Sequence, residues 1–318
     1  MNAGASEMSI GSAPPLSSPT SVWTAFRERL ADYFGMTKPR AMVMVCVTAA
    51  VGFVLAEPQA HLGGPPGAGW WLPMLHLLVG TYLAGGGSVA LNQCWEHRLD
   101  RLMNRTRGRP LASGRISPAE GWAFASAISV IGIAQLAWGV NLLTAALAAV
   151  THLSYVLAYT PLKRRTPLCT LVGAIPGAIP PMMGWTAVRD SLDTPAWVLF
   201  AILFLWQMPH ALAIAWIYRD DYAAAGFRVL SVGDTAGTHT RTKIAYYSLA
   251  LLVVSLTPTL IGLTGAVYFW WALGSGLVLL AAGLPVGNSP SPTPARRLLI
   301  TASAYLVCLL CVMMFDRV

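Results

Sequence analysis

Charge is what this 318-residue chain has least of: Asp, Glu, Lys and Arg together make up 11% of it, against roughly a quarter in an ordinary soluble domain. So small a charged fraction cannot clothe a globular surface. With 55% hydrophobic residues it also excludes disorder over most of the length. Cysteine is scarce as well. The five (Cys46, Cys94, Cys169, Cys308 and Cys311) are odd in number, and the CxxC spacing of the last two falls inside an apolar run with no second pair elsewhere. Neither a disulfide framework nor a zinc site follows. The opening residues, rich in Ser, Pro and Gly, lack the apolar core and small-residue cleavage site of a signal peptide. An all-α integral membrane protein remains.

What the chain has in abundance is long apolar runs. Crossing a bilayer as a helix takes about 20 residues, and nine runs reach that length: 40–57, 71–94, 119–139, 141–160, 168–188, 196–217, 244–263, 265–284 and 297–315. The third and fourth, like the seventh and eighth, have almost no loop between them, which predicts tight hairpins. Residues 1–37 read as a separate tail, partly disordered and ending in a short surface helix near Val22–Phe34, ahead of a membrane domain over 38–318.

Alternating the spans across a bilayer puts nineteen of the 21 Lys and Arg on one side and leaves Arg189 and Arg317 on the other. Such a bias orients the N-terminus to the cytoplasm, and it fixes the count, since one span more or fewer would scramble it. The net charge of +8 therefore belongs to topology and calls for no nucleic acid. The tail has no Arg/Ser-rich amphipathic leader, which favours a bacterial inner membrane over an organelle.

Topology explains the bases but not the acids. Glu96, Asp100, Asp220 and Asp221 sit at the cytoplasmic ends of the second and sixth spans, where carboxylates are costly and tend to be functional. Asn92, Glu96 and Asp100 are spaced i, i+4, i+8. On a helix each step rises about 6 Å and drifts about 40°, so the three share one stripe. Oxygen ligands in line suit magnesium, which is commonly held by one or two carboxylates together with substrate phosphates. Arg101, Arg105, Arg107 and Arg109 follow, with guanidinium forks that match phosphate oxygens. A metal-bridged diphosphate uses both halves. The competing reading is a charged juxtamembrane face whose acids merely pair with Arg101 or Arg105.

The second acidic cluster is Tyr218-Arg219-Asp220-Asp221-Tyr222, with Gly226 as a helix stop. Adjacent residues point about 100° apart, so only one of the two aspartates can face a shared site. Between the clusters, Lys163, Arg164 and Arg165 close the fourth span. They serve topology, and Lys163 and Arg164 are also placed to contact a leaving diphosphate. Gly85–Gly87 and the Gly/Pro-rich stretch 173–184 allow close helix approach or local unwinding.

These blocks resemble the UbiA superfamily of membrane prenyltransferases, which carry an Asn-x-x-x-Asp-x-x-x-Asp motif after the second of nine helices and an Asp-rich motif after the sixth. The narrower resemblance is to its haem-modifying branch. It rests on Thr37-Lys38-Pro39-Arg40, Asn92 to Pro110, Tyr159 to Thr166, Gly173 to Trp185, Trp206-Gln207-Met208-Pro209-His210 and Asp221-Tyr222-x-x-Ala225-Gly226. Two positions depart from the wider pattern. Glu96 replaces the middle aspartate, and Tyr218 and Tyr222 occupy the Asp-x-x-x-Asp positions, which leaves a second metal in doubt. Val229-Leu230-Ser231-Val232 also departs from the Met-Leu-Pro-Val of that branch.

The resemblance implies a nine-helix bundle with its active site on the cytoplasmic side. It implies farnesyl transfer from farnesyl diphosphate to a vinyl group of haem b, haem being substrate rather than cofactor. It assigns Mg²⁺ to Asn92, Glu96, Asp100, Asp220 and Asp221, and the diphosphate to Arg105, Arg109, Lys163, Arg164 and Arg219. His210 would hold or orient haem, whether by iron, a propionate or proton movement. Haem A synthase or another oxidase-assembly protein is the candidate partner. Rival readings are a prenyltransferase acting on an aromatic quinone precursor or a chlorophyll-like ring, an ion-coupled transporter, and a haem-binding assembly module without catalysis.

Overall fold

The computed structural model describes residues 21–57, 69–288 and 291–318. The first twenty residues of the expected tail lie outside the described residues. Among those described, nine helices are long and apolar enough to cross a membrane, and they fall on the nine expected runs. A surface helix α1 (Ser21–Met36) precedes them. The spans are α2 (Pro39–Ala56), α3 (Trp71–Asp100), α4 (Pro118–Gly139), α5 (Leu142–Leu162), α6 (Cys169–Arg189) and α7 (Thr194–Ile217). A short α8 (Arg219–Ala224) follows. The last three spans are α9 (Thr238–Leu260), α10 (Ala266–Gly283) and α11 (Thr293–Phe315). Helices are forced here because the hydrocarbon region offers no water to backbone N–H and C=O groups, so each span must satisfy its own.

Local chemistry sets the ends. Ser117 and Glu120 form a capping box that starts α4. The turn into α5 is only Val140 and Asn141: the Asn141 side-chain Oδ1 accepts from the Thr144 N–H at 2.8 Å, while its Nδ2 donates to Thr186 O of α6 at 2.7 Å. The turn from α9 to α10 is longer, residues 261–265. The first turns of α9 precede the apolar run because Asp234 Oδ2 accepts from the Thr240 N–H at 2.6 Å and begins the helix among polar residues.

Close approach of backbones governs the packing. At Gly184 of α6, an added Cβ would lie 1.9 Å from Ala49 O of α2, so those two helices meet where only hydrogen fits. Gly85–Gly87 stay inside a continuous α3, serving approach rather than unwinding, whereas α6 breaks at Ile179, ahead of Pro180, which has no N–H to donate. The largest core cluster joins α2, α6, α7, α9, α10 and α11, and includes Leu199, Ile202, Leu251, Tyr268 and Leu309. Outside, Val130, Trp138, Trp270 and Ile300 face away from the protein, and Cys308 and Cys311 are exposed free thiols on the same kind of surface. That outward apolar belt is what lipid requires.

The two isolated arginines meet at the end of α2 opposite the other bases. Arg189 Nε donates to Ala56 O at 2.9 Å, and Arg317 Nη1 donates to Val54 O. Both satisfy carbonyls that a helix terminus leaves free.

Candidate active site

The stripe on α3 is real. Asn92, Glu96 and Asp100 are each at most 4% exposed. They line a cavity of about 310 Å³ at the basic end of the bundle. Arg105 and Arg109 from the following loop, Lys163 from the end of α5 and Lys38 from the start of α2 line it too. The other walls are apolar or weakly polar: Tyr155 and Tyr159 of α5, Gly173 and Ala174 of α6, Gln207, Ala211 and Ile214 of α7, and Phe227 and Val229 beyond α8. A charged mouth thus runs into an apolar interior.

Each carboxylate has its own cation. Arg109 Nη1 donates to both oxygens of Asp100 at 2.9 and 2.7 Å. Lys163 Nζ lies 3.0 Å from Glu96 and donates to Oε2. Burial works against the charge of Lys163, but Glu96 together with Tyr155 and Tyr222 outweighs it and holds the ammonium above the usual lysine range. Lys38 is the contrary case. Its loss of water contact, more than anything else, and then the charges of Arg109, Lys163 and Arg105 push it down to about 7.

The oxygens left over fit a magnesium ion. Glu96 Oε1 is buried and takes no hydrogen bond among the described residues, its charged neighbour being Lys163 Nζ at 3.0 Å. Asn92 Nδ2 donates to Thr160 Oγ1 at 3.0 Å, which turns the amide and leaves its carbonyl oxygen for a ligand. Among the described residues, no three His, Cys, Asp or Glu side chains group to hold a metal alone. That suits an ion completed by an amide oxygen and by phosphate oxygens brought with the substrate.

Two hydrogen bonds tie the second acidic segment and the residues after it to the loop following α3 and to the end of α5. The Arg105 N–H donates to Asp221 Oδ2 at 3.2 Å, and the Arg228 N–H donates to Lys163 O at 2.8 Å. Of the adjacent acids, Asp221 therefore faces the loop after α3, although it does not itself line the cavity. Asp220 does not: its side chain is 97% exposed and lies 3.6 Å from Arg219. The helical offset between neighbours decides this, so Asp220 is not brought to the cavity. Arg219 is not brought either, since its guanidinium packs on the Trp216 ring at 4.9 Å. Arg164 is exposed in a separate hollow with Trp95 and Pro161, on the other side of Glu96. His210 does not line the cavity. Its ring packs 4.8 Å from that of Trp206, and its Nδ1 is buried with no partner among the described residues.

Other residues enter that spacing did not single out. Tyr155 and Tyr159 both face the cavity from a π-helical turn, Ser154–Tyr159, a wider coil often found at functional sites. Their repeat of four was the available signal. Tyr159 lies under Lys163 Nζ at 4.5 Å. Tyr218 and Tyr222 have a role of their own, holding the Arg105 guanidinium 5.1 and 6.0 Å above their rings. Gln207 donates to Ala174 O at 3.2 Å, bridging α7 to α6 beside the cavity.

A profile of the UbiA prenyltransferase family matches residues 45–306. The chain belongs to the UbiA prenyltransferase family. Among curated relatives, the protoheme IX farnesyltransferase of Solibacter usitatus is 42% identical over 91% of this chain and 99% of its own. That of Myxococcus xanthus is 41% identical over 91% and 95%. Solved UbiA-type folds align with much lower identity. A digeranylgeranylglyceryl phosphate synthase superposes with a TM-score of 0.73 at 14% identity, covering 91% of this chain and 98% of that one. A UbiA homologue from Archaeoglobus fulgidus, bound to GPP and Mg²⁺, gives 0.62 at 14% identity over 89% and 99%. This UbiA member is thus a multi-pass membrane prenyltransferase whose acids and bases converge at one end of its bundle.

Proposed function

We propose that this chain transfers a farnesyl group from farnesyl diphosphate to a vinyl group of haem b, giving haem O, at the cytoplasmic face of a bacterial inner membrane with its N-terminus inside. The relatives that cover nearly the whole chain carry the name protoheme IX farnesyltransferase, and none of the closely related ones reported above is named for a quinone precursor. The observation that carries the reading is the cavity itself, where an Asn/Glu/Asp stripe and four cations meet an apolar interior.

Asn92, Glu96 and Asp100 would hold Mg²⁺, with Asp221 tied to the Arg105 N–H of the neighbouring loop, and the bound ion would supply charge neutralisation for the diphosphate, as the Mg²⁺ and GPP bound to the Archaeoglobus homologue support. Arg105, Arg109 and Lys163 take the negative charge that builds on the leaving diphosphate as its C–O bond breaks. The rings of Tyr155 and Tyr159 face the allylic carbon as it becomes cation-like, where their π faces stabilise it. The terminal carbon of the haem vinyl group then forms the new C–C bond. Water adds to the inner vinyl carbon and loses a proton, leaving the hydroxyl, with pyrophosphate as the other product. The apolar walls from α6 and α7 keep that water from the allylic cation until coupling is complete. His210, one turn from Gln207, belongs to the haem side of this reading, its unpartnered Nδ1 available to the porphyrin or its substituents.

The test is incubation of the purified protein with farnesyl diphosphate and haem b, with and without a chelator. The haem should gain the mass of one farnesyl group and one hydroxyl, and lose that gain with chelator. A product only from 4-hydroxybenzoate would overturn the haem assignment.

A further inference from the structure

We propose that Lys38 is a binding residue for the substrate's diphosphate, the cation that α2 adds to a cradle otherwise drawn from α3, its following loop and the end of α5. The inference rests on the reading above that a prenyl diphosphate occupies this cavity.

Charge matching comes first. Of the four cations at the cavity, Lys163 is answered by Glu96 and Arg109 by Asp100. Arg105 is held over Tyr218 and Tyr222. Lys38 is half-buried and has no ion pair, side-chain hydrogen bond or ring contact among the described residues. An ammonium set among three other cations with no carboxylate of its own is costly to the empty protein, and an anion entering the cavity removes that cost.

The backbone is the second, independent observation. Lys38 sits at φ 49° and ψ 64°, the left-handed region. Glycine takes that conformation freely and Asp or Asn tolerate it, but a long side chain gains nothing from it. The other non-glycine residue with positive φ among those described is Asp190, a helix cap of the tolerant kind. For folding alone, glycine would serve better at position 38. The neighbouring Thr37 pins the segment, donating to Phe34 O at 2.8 Å, sharing a hydrogen bond with the Tyr82 hydroxyl at 3.0 Å, and packing on Gly86 of α3. The strained turn is thereby fixed with the lysine at the cavity.

The chemistry recognised is an anionic oxygen group, which haem carboxylates also offer. Sharing one cavity with Asn92, Glu96, Asp100, Arg105, Arg109 and Lys163 favours the diphosphate. The full-length protein in detergent is titrated calorimetrically with inorganic pyrophosphate plus Mg²⁺, and separately with haem b by its Soret band, for wild type and for Lys38→Gly, Lys38→Gln and Lys38→Arg. Lys38→Gly and Lys38→Gln should weaken pyrophosphate at least tenfold, and Lys38→Arg less than threefold. Haem b titration should be unchanged, and Lys38→Gly should melt no lower than wild type. Pyrophosphate affinity within twofold of wild type in Lys38→Gly overturns the proposal, as does a loss confined to haem b. If the wild type farnesylates no haem yet Lys38→Gly loses pyrophosphate, the acceptor assignment fails while Lys38 keeps its role.

Discussion

At the scale of single residues, the carboxylates of the stripe pair with cations in the fold and, in the proposed reading, serve the chemistry as well, and the two can be separated. Asp100→Asn leaves Arg109 facing an uncharged amide in a largely buried site. We expect a loss of roughly 2–3 kcal/mol of stability, below the usual range for a broken buried pair because Arg109 keeps some access to the cavity, and at least a hundredfold loss of farnesyl transfer. Adding Arg109→Met should restore most of the melting temperature and none of the activity. Recovery of both would remove Asp100 from the site. Lys38 gives a pH signature. Between about 7, its value in the folded protein, and the ordinary lysine value of 10.5, the unfolded chain holds a proton that the folded one lacks. Stability of the ligand-free protein should therefore rise with pH across that window, by up to about 1.4 kcal/mol per unit from this group. In Lys38→Met that slope should vanish, as melting curves from pH 7 to 10 would show. The Asn92/Glu96/Asp100 stripe was legible beforehand because helical periodicity is a local property. The place of Lys38 at the cavity, a residue named beforehand only as part of a motif block, and that of Tyr155 were not, since one owes its position to a left-handed turn and the other to a π-helical coil, and apolar patterning signals neither.

At the scale of elements, the spans could be read from hydropathy, and their ends only where a polar cap announced them. The early start of α9 depends on Asp234 reaching Thr240, a contact across six residues that no apolar run records. Asp234→Ala should cost about 1–2 kcal/mol and fray that start, seen as faster hydrogen exchange over residues 238–244 with farnesyl transfer unchanged. The cavity walls depend on one close approach of α6 to α5. A Cβ at Gly173 would lie 2.6 Å from the Tyr159 ring, and that ring underlies Lys163. Gly173→Ala should displace both, lowering kcat/KM about tenfold at a stability cost near 1 kcal/mol. An unchanged kcat/KM would mean that the Tyr159 ring does not set the position of Lys163. His210, Arg164 and Arg219 show the limit of motif reading: all three belong to the right segments, but which way a side chain points is decided by neighbours such as Trp206 and Trp216, far apart from the motif's spacing logic.

At the scale of the whole molecule, the alternation of basic loops reads out as orientation. Fluorescent protein fused ahead of Met1 should fluoresce, and alkaline phosphatase fused after Val318 should be active, because in the proposed topology the nine spans among the described residues put the two ends on opposite sides. Activity of the phosphatase at the N-terminus instead would invert the proposed topology. The two arginines excluded from that bias have a consequence for handling the protein. Arg317 ties the last residues of the chain to the first span, beside Arg189, so the bundle is fastened head to tail at the rim remote from the cavity. Trimming a few terminal residues, or crowding them with a short affinity tag, would therefore loosen α2 at its outer end and, through that rigid rod, disturb the lysine seated at its inner end about 27 Å away.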